Sequence, residues 1–325
     1  MLATALGPDI LAALQRDDVT EIMLNADGQL WVEEGGLERL EARLSPAEGE
    51  RIIRLVASHV GQPCDQTAPI LSAELPGGGE RFEGLLPPLV TAPVFAVRKP
   101  AKRILFLSDY VSSGILSPAA GALLADAVQK RQNIIVVGGT GSGKTTLTNA
   151  LMAEIPSAER LLLLEDTREL QVSHPNHVRL RTFEASGTMI TLRHLVRSTL
   201  RLRPDRIIVG EVRGAEALDL LKSWNTGHPG GLATLHAGSA AAGLIRLEQL
   251  ICEASQTVPR ALIAETVDLI VVIEGRGTCR RVREIAAVTG VRGERYSLQT
   301  LYAPSEKPAV ALPASSHTHS PTSKG

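Results

Sequence analysis

Cysteine is scarce in this chain of 325 residues, and its distribution argues against two kinds of architecture. The three cysteines, Cys64, Cys252 and Cys279, are far apart and form no Cys-x-x-Cys pair. A disulfide framework and a cysteine-based zinc site are therefore not expected. Such usage is typical of a reducing compartment, and we expect a cytoplasmic protein.

Long apolar runs are also missing, aromatic side chains are few, and neither sign of charge is in excess. The longest apolar runs, such as Ile134–Gly139 and Leu269–Ile273, are far shorter than the roughly 18 residues of a membrane-spanning helix. Aromatic residues make up 3% and the net charge is −1, which argues against a nucleic-acid partner. The N-terminus has no basic residue before Arg16 and carries Pro8 and Asp9, so we expect no signal peptide.

The chain does contain enough apolar residues for real cores, and its charge is unevenly divided. Hydrophobic residues make up 44%, and the length suits two ordinary domains. Residues 1–100 carry 15 acidic and 8 basic side chains, whereas 101–325 carry 20 acidic and 26 basic ones. This asymmetry favours two domains and would allow head-to-tail electrostatic contact between copies.

Residues 1–100 have the pattern of a small α+β domain. Val19–Leu24 and Leu30–Glu33 are strand candidates on either side of an Asn-Ala-Asp-Gly turn. A Ser-Pro-Ala-Glu start followed by apolar residues at helical spacing predicts an amphipathic helix over 46–61. We expect residues 101–113 to form a flexible connection to the next domain and to act as a hinge.

Residues 114–302 alternate short apolar runs with helical patterns, which predicts an α/β domain with a mainly parallel sheet. The last residues, 303–325, are rich in Pro, Ser and Thr, and we expect a disordered tail. The runs of strand length are Ile134–Val137, Leu161–Leu164, Ile207–Val209, Leu232–Leu235 and Leu269–Ile273.

One glycine-rich segment between a strand candidate and a helix matches the phosphate-loop pattern G-x-x-x-x-G-K-[ST]. Glycines let the backbone N–H groups turn inward around a phosphate, and the following helix adds its dipole. We expect a nucleoside triphosphate here, with Lys144 on its β- and γ-phosphates and Thr145 as a Mg2+ ligand. The segment comprises Gly138, Gly139, Thr140, Gly141, Ser142, Gly143, Lys144 and Thr145, with Thr146 next to it.

The phosphate loop alone does not separate a kinase, a switch GTPase and a motor, although an Asn-Lys-x-Asp base-reading motif is missing. Glu211 follows the apolar run at 207–209, so it lies at the edge of the sheet where α/β proteins bind ligands. A glutamate there can polarise a water against the γ-phosphate, or it can simply cap a helix. Glu165 and Asp166 end another run and either hold Mg2+ waters or form a solvated turn.

His236 ends the run at 232–235, beside the same edge, where it either senses the γ-phosphate or is structural. Arg193, Arg197 and Arg201 are four residues apart, which predicts one helix face carrying all three. Like charges at that spacing repel, so phosphates, acids of a neighbouring subunit or solvent must face them.

Four sequence boxes in this order resemble the type II/type IV secretion ATPase superfamily, with its phosphate loop, Asp box, atypical Walker B and His box. Two N-terminal segments, at 17–36 and 95–100, are most similar to the TrbB-type conjugative-transfer ATPases. The tetracysteine element of many type II relatives is missing, which supports the type IV side. The boxes are GGTGSGKT (138–145), LLEDTREL (163–170), RPDRIIVGEVRG (203–214) and GHPGGLATLHA (227–237).

The resemblance implies a RecA-like ATPase domain, preceded by a smaller N-terminal domain, with ATP and Mg2+ bound between them. It implies a homo-oligomer, a hexameric ring, that works with secretion components at the cytoplasmic face of the inner membrane, without direct contact to nucleic acid. It also implies a role for each matching residue. These residues are Lys144 and Thr145 at the phosphates and Mg2+, Glu211 at the attacking water, Glu165 in the Asp box, His236 as sensor, and Arg81 and Arg98 on nucleotide phosphates.

Three alternatives remain open at this point. A pilus assembly or retraction motor of the same superfamily would share all four boxes. A RecA-like nucleic-acid motor would use the Arg193 face. A nucleotide-gated scaffold would bind ATP and hardly hydrolyse it.

Overall fold

The computed structural model of the chain describes residues 2–75, 78–100, 104–185 and 188–304. Its N-terminal part is an antiparallel sheet with strand order β3-β2-β1-β6-β5-β4 that shares one core with two helices. The elements are α1 (Leu2–Gln15), β1 (Val19–Leu24), β2 (Gln29–Glu34), β3 (Leu37–Arg43), α2 (Pro46–Val60), β4 (Ile70–Glu74), β5 (Arg81–Leu85) and β6 (Val94–Arg98).

The local sequence determines both ends of α2. The Ser45 side chain accepts the backbone N–H of Glu48, and the Glu48 carboxylate accepts the N–H of Ser45 at 2.8 Å. Gly61 ends the helix in the left-handed region at φ +68°, which glycine adopts without steric cost. Ile52 and Ile53 are buried on the inner side of α2. The predicted helix and its capping box are therefore confirmed.

The larger C-terminal part is built on a sheet with strand order β16-β15-β14-β7-β13-β12-β8-β9. β7 pairs in parallel with both β13 and β14, and β8, β9 and β12 run parallel too, whereas β15 and β16 are antiparallel. The fold class is thus confirmed: α/β, mainly parallel, with a smaller N-terminal sheet domain.

The helices and strands of this larger part are, in chain order, α3 (Leu107–Ser112), α4 (Pro118–Gln129), β7 (Ile134–Gly138), α5 (Lys144–Met152), β8 (Leu161–Glu165), β9 (His177–Arg181), β10 (Phe183–Ala185), β11 (Thr188–Ile190), α6 (Leu192–Thr199), β12 (Arg206–Val209), α7 (Glu216–Asn225), β13 (Leu232–His236), α8 (Ala240–Cys252), α9 (Arg260–Thr266), β14 (Leu269–Glu274), β15 (Arg281–Arg292) and β16 (Arg295–Tyr302).

Helices cover both faces of this sheet, which explains why its central strands are apolar throughout. Within β7, Ile135 packs in the core with α7 and α8, while Ile134 and Val136 pack in the core with α4 and α5. The parallel strands all end at one edge, and His236 lies in register with Gly138 there. This edge brings the sequence boxes together.

The segment expected to connect the domains contains the helix α3. Its Leu107 and Tyr110 are buried in the same core as α4 and α5, so α3 belongs to the larger part by packing. Residues 101–103 and all of the predicted tail beyond 304 lie outside the described residues. Among the helices of the described ranges, none combines the length and the apolar character that crossing a bilayer requires.

Candidate nucleotide-binding site

The predicted phosphate loop is the connection from β7 to α5, as the sequence indicated. Gly141 and Gly143 have φ values of +73° and +94°, which a residue with a side chain adopts only with strain. At Gly138 there is also no room, because a Cβ atom would lie 2.3 Å from the carbonyl oxygen of Ile273. The glycines therefore give this loop its shape, and its backbone leads directly into the N-terminus of α5.

Lys144 is the first residue of α5, and its side chain turns back into the phosphate loop. It is 7% exposed, and its Nζ donates to the carbonyl oxygen of Gly139 at 3.1 Å. Burial lowers the pKa of Lys144, while the negative charge of Glu211 opposes that shift. The ammonium group is thus held inside the loop, where burial separates it from water. The oxygens of an entering phosphate would accept the hydrogen bonds that water no longer accepts.

His236 connects Lys144 to Glu211. Its Nδ1 lies 3.3 Å from Lys144 Nζ, and its Nε2 lies 2.8 Å from a Glu211 carboxylate oxygen. Burial and the charge of Lys144 lower the pKa of His236, which favours the neutral ring. Since an ammonium group only donates, Nδ1 must accept, and the ring proton on Nε2 must donate to Glu211.

Arg213 holds the other oxygen of Glu211. Its Nη2 donates to Glu211 Oε2 at 2.5 Å, and this hydrogen bond raises the pKa of Arg213 above its already high ordinary value. Glu211 therefore lies between a histidine and an arginine at the ligand-binding edge. Both of its carboxylate oxygens thus contact side chains rather than the N-terminus of α7, which begins at Glu216 after the N-cap Ala215.

Glu165 is buried at the end of β8 and orders the loop that follows. One carboxylate oxygen accepts the backbone N–H groups of Glu169 and Leu170, at 2.7 and 2.5 Å. The other oxygen lies 3.2 Å from Arg179 Nη2. These contacts occupy both oxygens within the protein, and the role of Glu165 at the metal stays a prediction. Burial raises the pKa of its neighbour Asp166.

The sequence did not indicate Arg213 at this site, and it did not indicate Glu169 either. The Glu169 carboxylate accepts the Thr145 hydroxyl at 3.2 Å and lies 3.8 Å from Arg81 Nη1, on β5 of the N-terminal part. The available signal was its place as the second glutamate of the LLEDTREL box. Arg98 faces Arg81 in the β5–β6 register, and its charge lowers the pKa of Lys144. Arg81 is thus linked through Glu169 to Thr145 of the phosphate loop, and Arg98 lies beside Arg81 on the neighbouring strand.

Three further histidines, His174, His177 and His228, lie away from this edge. His228 Nδ1 lies 3.0 Å from the carbonyl oxygen of Pro204, at the start of β13 rather than its end. His174 and His177 each contact a nearby backbone carbonyl in the loop before β9. These contacts to backbone carbonyls indicate a structural role for all three histidines.

An acidic residue of this same chain contacts two of the arginines that were predicted to share a helix face. Asp219 of α7 accepts Arg193 Nε at 2.7 Å and Arg197 Nε at 2.9 Å. The inclusion of Arg201 was wrong, because α6 ends at Thr199. Beyond the helix, Arg203 has a φ of +55° and precedes Pro204, which disfavours helical geometry in that residue, so this segment cannot continue α6.

Comparison with known proteins places this geometry in a family. The type II/IV secretion system protein family matches residues 81–305. The conjugal transfer protein TrbB of Rhizobium radiobacter is 48% identical over 302 residues, which cover 92% of each chain. The type IV secretion system protein VirB11 of Bartonella henselae is 30% identical, covering 93% of this chain and 95% of the relative.

A solved structure, the pilus retraction motor PilT with bound ADP, shares the fold. The TM-score is 0.63 at 20% sequence identity, covering 92% of this chain and 82% of that one. The resemblance that the four boxes indicated is confirmed. The chain belongs to the type II/IV secretion system protein family and is an ATPase of the conjugal-transfer and type IV secretion type.

Proposed function

We propose that this chain hydrolyses Mg-ATP at the interface of its two domains and that a hexameric ring of copies uses this cycle to energise conjugative transfer. The observation that carries the proposal is the link from Lys144 through His236 to Glu211, at 3.3 and 2.8 Å, beside a phosphate loop. This link brings together the cation that we propose for the phosphates and the carboxylate that we propose for the attacking water.

The chemistry is an in-line attack of water on the γ-phosphorus. Glu211 accepts a hydrogen bond from the attacking water and orients it, while His236 keeps the carboxylate in place. Lys144 offsets the charge that develops on the γ-phosphate oxygens. Arg213, now paired with Glu211, is free to turn to the phosphates once water takes its place on the carboxylate.

The residues present fit Mg2+. The Thr145 hydroxyl and the Glu169 carboxylate meet at 3.2 Å and supply the oxygen ligands that this ion prefers. In the described part of the chain no group of three or more His, Cys, Asp or Glu side chains forms a metal cage. That suits an ion that takes most of its ligands from water and substrate phosphates. Bound there, Mg2+ would neutralise phosphate charge.

Five charged side chains support a nucleotide site between the domains. Glu74 and Arg81 face each other across β4 and β5, and they meet the loop after β8. Glu74 lies 4.0 Å from Arg168, and Arg81 lies 3.8 Å from the adjacent Glu169. Arg181 adds a 2.8 Å hydrogen bond to Glu74. Because Glu169 also contacts Thr145, metal binding would compete with Arg81 for this carboxylate and release Arg81 toward the phosphates.

The biological setting rests on the relatives. TrbB is a conjugal transfer protein and VirB11 a type IV secretion system protein, and we propose the same kind of machine here. The ring would work with secretion components, as a peripheral protein at the cytoplasmic face of the inner membrane. The pairing of Arg193 and Arg197 with Asp219 removes the feature that favoured a nucleic-acid motor.

Glu211→Gln tests this assignment. The variant keeps the shape of the side chain but removes the charge that orients water, so we expect ATP affinity within about threefold of wild type and phosphate release reduced about 100-fold or more. Glu253→Gln, an exposed acid beyond α8, is the matched control. Unchanged turnover in Glu211→Gln would contradict the assignment, and negligible turnover in wild type would favour a nucleotide-gated scaffold.

A further inference from the structure

The loop between β14 and β15 lies against the outer side of the phosphate loop. Arg276 Nη2 donates to the carbonyl oxygen of Thr140 at 3.1 Å, at the protein surface. A Cβ atom on Gly141 would lie 3.1 Å from Arg276 Nε, and one on Gly143 would lie 3.0 Å from Arg280 Nε. Two guanidinium groups therefore line this edge, and neither takes part in the catalytic arrangement described above.

The order of the strands indicates in which direction a bound nucleotide would lie across the phosphate loop. β7 carries the phosphate loop and has β13 on one side and β14 on the other. His236 ends β13, and Glu211 follows β12, one strand further along that side. The γ-phosphate must face these groups, so an extended nucleotide passes across the loop with its nucleoside end toward β14. Arg276 lies on that side.

The two arginines differ in what they can do. Nε of Arg280 is buried, and among the residues that the structure describes it has no hydrogen-bond partner. The side chain packs against the loop at Gly143. Arg276 is exposed, and its bond to Thr140 is one that a ligand can displace. A Cβ atom on the next residue, Gly277, would lie 3.9 Å from the Gly35 carbonyl oxygen, so the β2–β3 turn borders the same space.

An arginine at this place can stack on a purine base, a role that an aromatic side chain would otherwise take. Aromatic residues make up only 3% of the chain, and no Asn-Lys-x-Asp motif reads the base. A planar guanidinium group stacks on aromatic rings and is attracted to their faces, which a lysine ammonium group does less well. We propose that Arg276 contacts the nucleoside part of ATP, with its guanidinium group lying on the purine. This inference rests on the proposed function, because it requires a nucleotide in the phosphate loop.

Isothermal titration of the full-length protein with ADP and with pyrophosphate, both with Mg2+, tests the contact. The two ligands differ by the adenosine that Arg276 is proposed to meet. We expect Arg276→Ala to weaken ADP binding about tenfold and to leave pyrophosphate binding unchanged. Arg281→Ala is the matched control, because this neighbouring arginine pairs with Glu274. It should leave both affinities unchanged.

Each other outcome overturns the contact. An equal loss for both ligands would show that Arg276 only supports the phosphate loop, and no loss for either would show that the nucleoside lies elsewhere. The proposed function fails separately, if the wild-type protein binds neither ADP nor pyrophosphate. In steady-state assays the same variant should raise KM for ATP and largely keep kcat.

Discussion

His236 Nε2 lies 2.8 Å from Glu211 Oε1, so a neutral histidine positions the carboxylate that faces the ligand-binding edge. The same ring contacts Lys144 at 3.3 Å. The states of Lys144, which we propose to bind phosphate, and of Glu211, which we propose to orient water, are therefore coupled through one imidazole. This coupling makes the site sensitive to the protonation of His236.

We expect the rate of ATP hydrolysis to fall at acidic pH. The pKa of His236 is lowered from 6.5, so the ring stays neutral at neutral pH and gains its second proton only below 6.5. The protonated ring can no longer accept from Lys144 and repels it. The unfolded chain takes up this proton at a higher pH, so the free energy of unfolding also falls as the pH drops below 6.5. A pH–rate profile of His236→Gln should lack this acid limb, and an unchanged limb would assign it to another group.

Lys144→Ala should remove most nucleotide affinity. A charge-assisted hydrogen bond to phosphate contributes about 1.5–3 kcal/mol, so we expect Kd for ADP to rise about 10–100-fold. The exposed Lys222, near the end of α7, is the matched control, and Lys222→Ala should bind normally. Titration calorimetry measures both. Normal ADP binding by Lys144→Ala would mean that the phosphates lie outside this loop.

Glu74→Lys tests the contact between the two domains. It replaces the partner of Arg168 and Arg181 with a like charge, so the docking of β4 and β5 on the loop after β8 should weaken. We expect kcat/KM for ATP to fall about fivefold, with stability changed by only ~1 kcal/mol, because these pairs are partly exposed. Adding Arg181→Glu should restore part of the activity.

The control for that series is Glu50→Lys. Glu50 pairs with Arg54 on the surface of α2, within the N-terminal part alone, so its reversal should leave turnover unchanged. If Glu50→Lys and Glu74→Lys lower activity equally, the change in the protein's net charge is responsible rather than the loss of the interdomain contact. If the second substitution restores nothing, Glu74 and Arg181 do not act as a pair.

Arg206→Ala should strongly destabilise the larger domain. Arg206 is fully buried, and its Nε donates to Glu159 Oε2 at 2.6 Å. Burial alone would raise the pKa of Glu159, but the hydrogen bond and charge of Arg206 outweigh it and hold that pKa below 4.5. The substitution removes the buried partner of this carboxylate and leaves it only the partly exposed Arg131, 3.4 Å away. We expect a cost of about 3–5 kcal/mol, which chemical denaturation can measure. Wild type should lose this contribution as the pH falls below 4.5. A loss under about 1 kcal/mol would contradict this account of the pair.

The features that sequence predicted correctly are those encoded over a few residues. The capping box of α2, the strand–loop–helix arrangement around residues 138–145 and the apolar central strands each follow from local pattern. The edge residues Glu211 and His236 could be grouped because parallel strands end together. α1 was not anticipated, since Gly7 with φ +78° interrupts it and leaves no simple cap pattern.

Contacts between distant segments could not be predicted. Asp219 contacts Arg193 because α6 and α7 pack side by side. The spacing of the arginines does not indicate which acidic residue pairs with them. Glu169 reaches Thr145 only through the course of the loop that Glu165 orders. Arg276 lies 136 residues from its partner Thr140 and meets it only because β14 pairs with β7.

The most direct test of the central claim is phosphate release by the purified full-length protein, measured with Mg-ATP and again after chelation of Mg2+. The account predicts steady release that chelation abolishes. It also predicts a light-scattering mass of six copies when ATP is present. Absence of phosphate release from folded protein that binds Mg-ATP, or release that is unaffected by chelation, would contradict it.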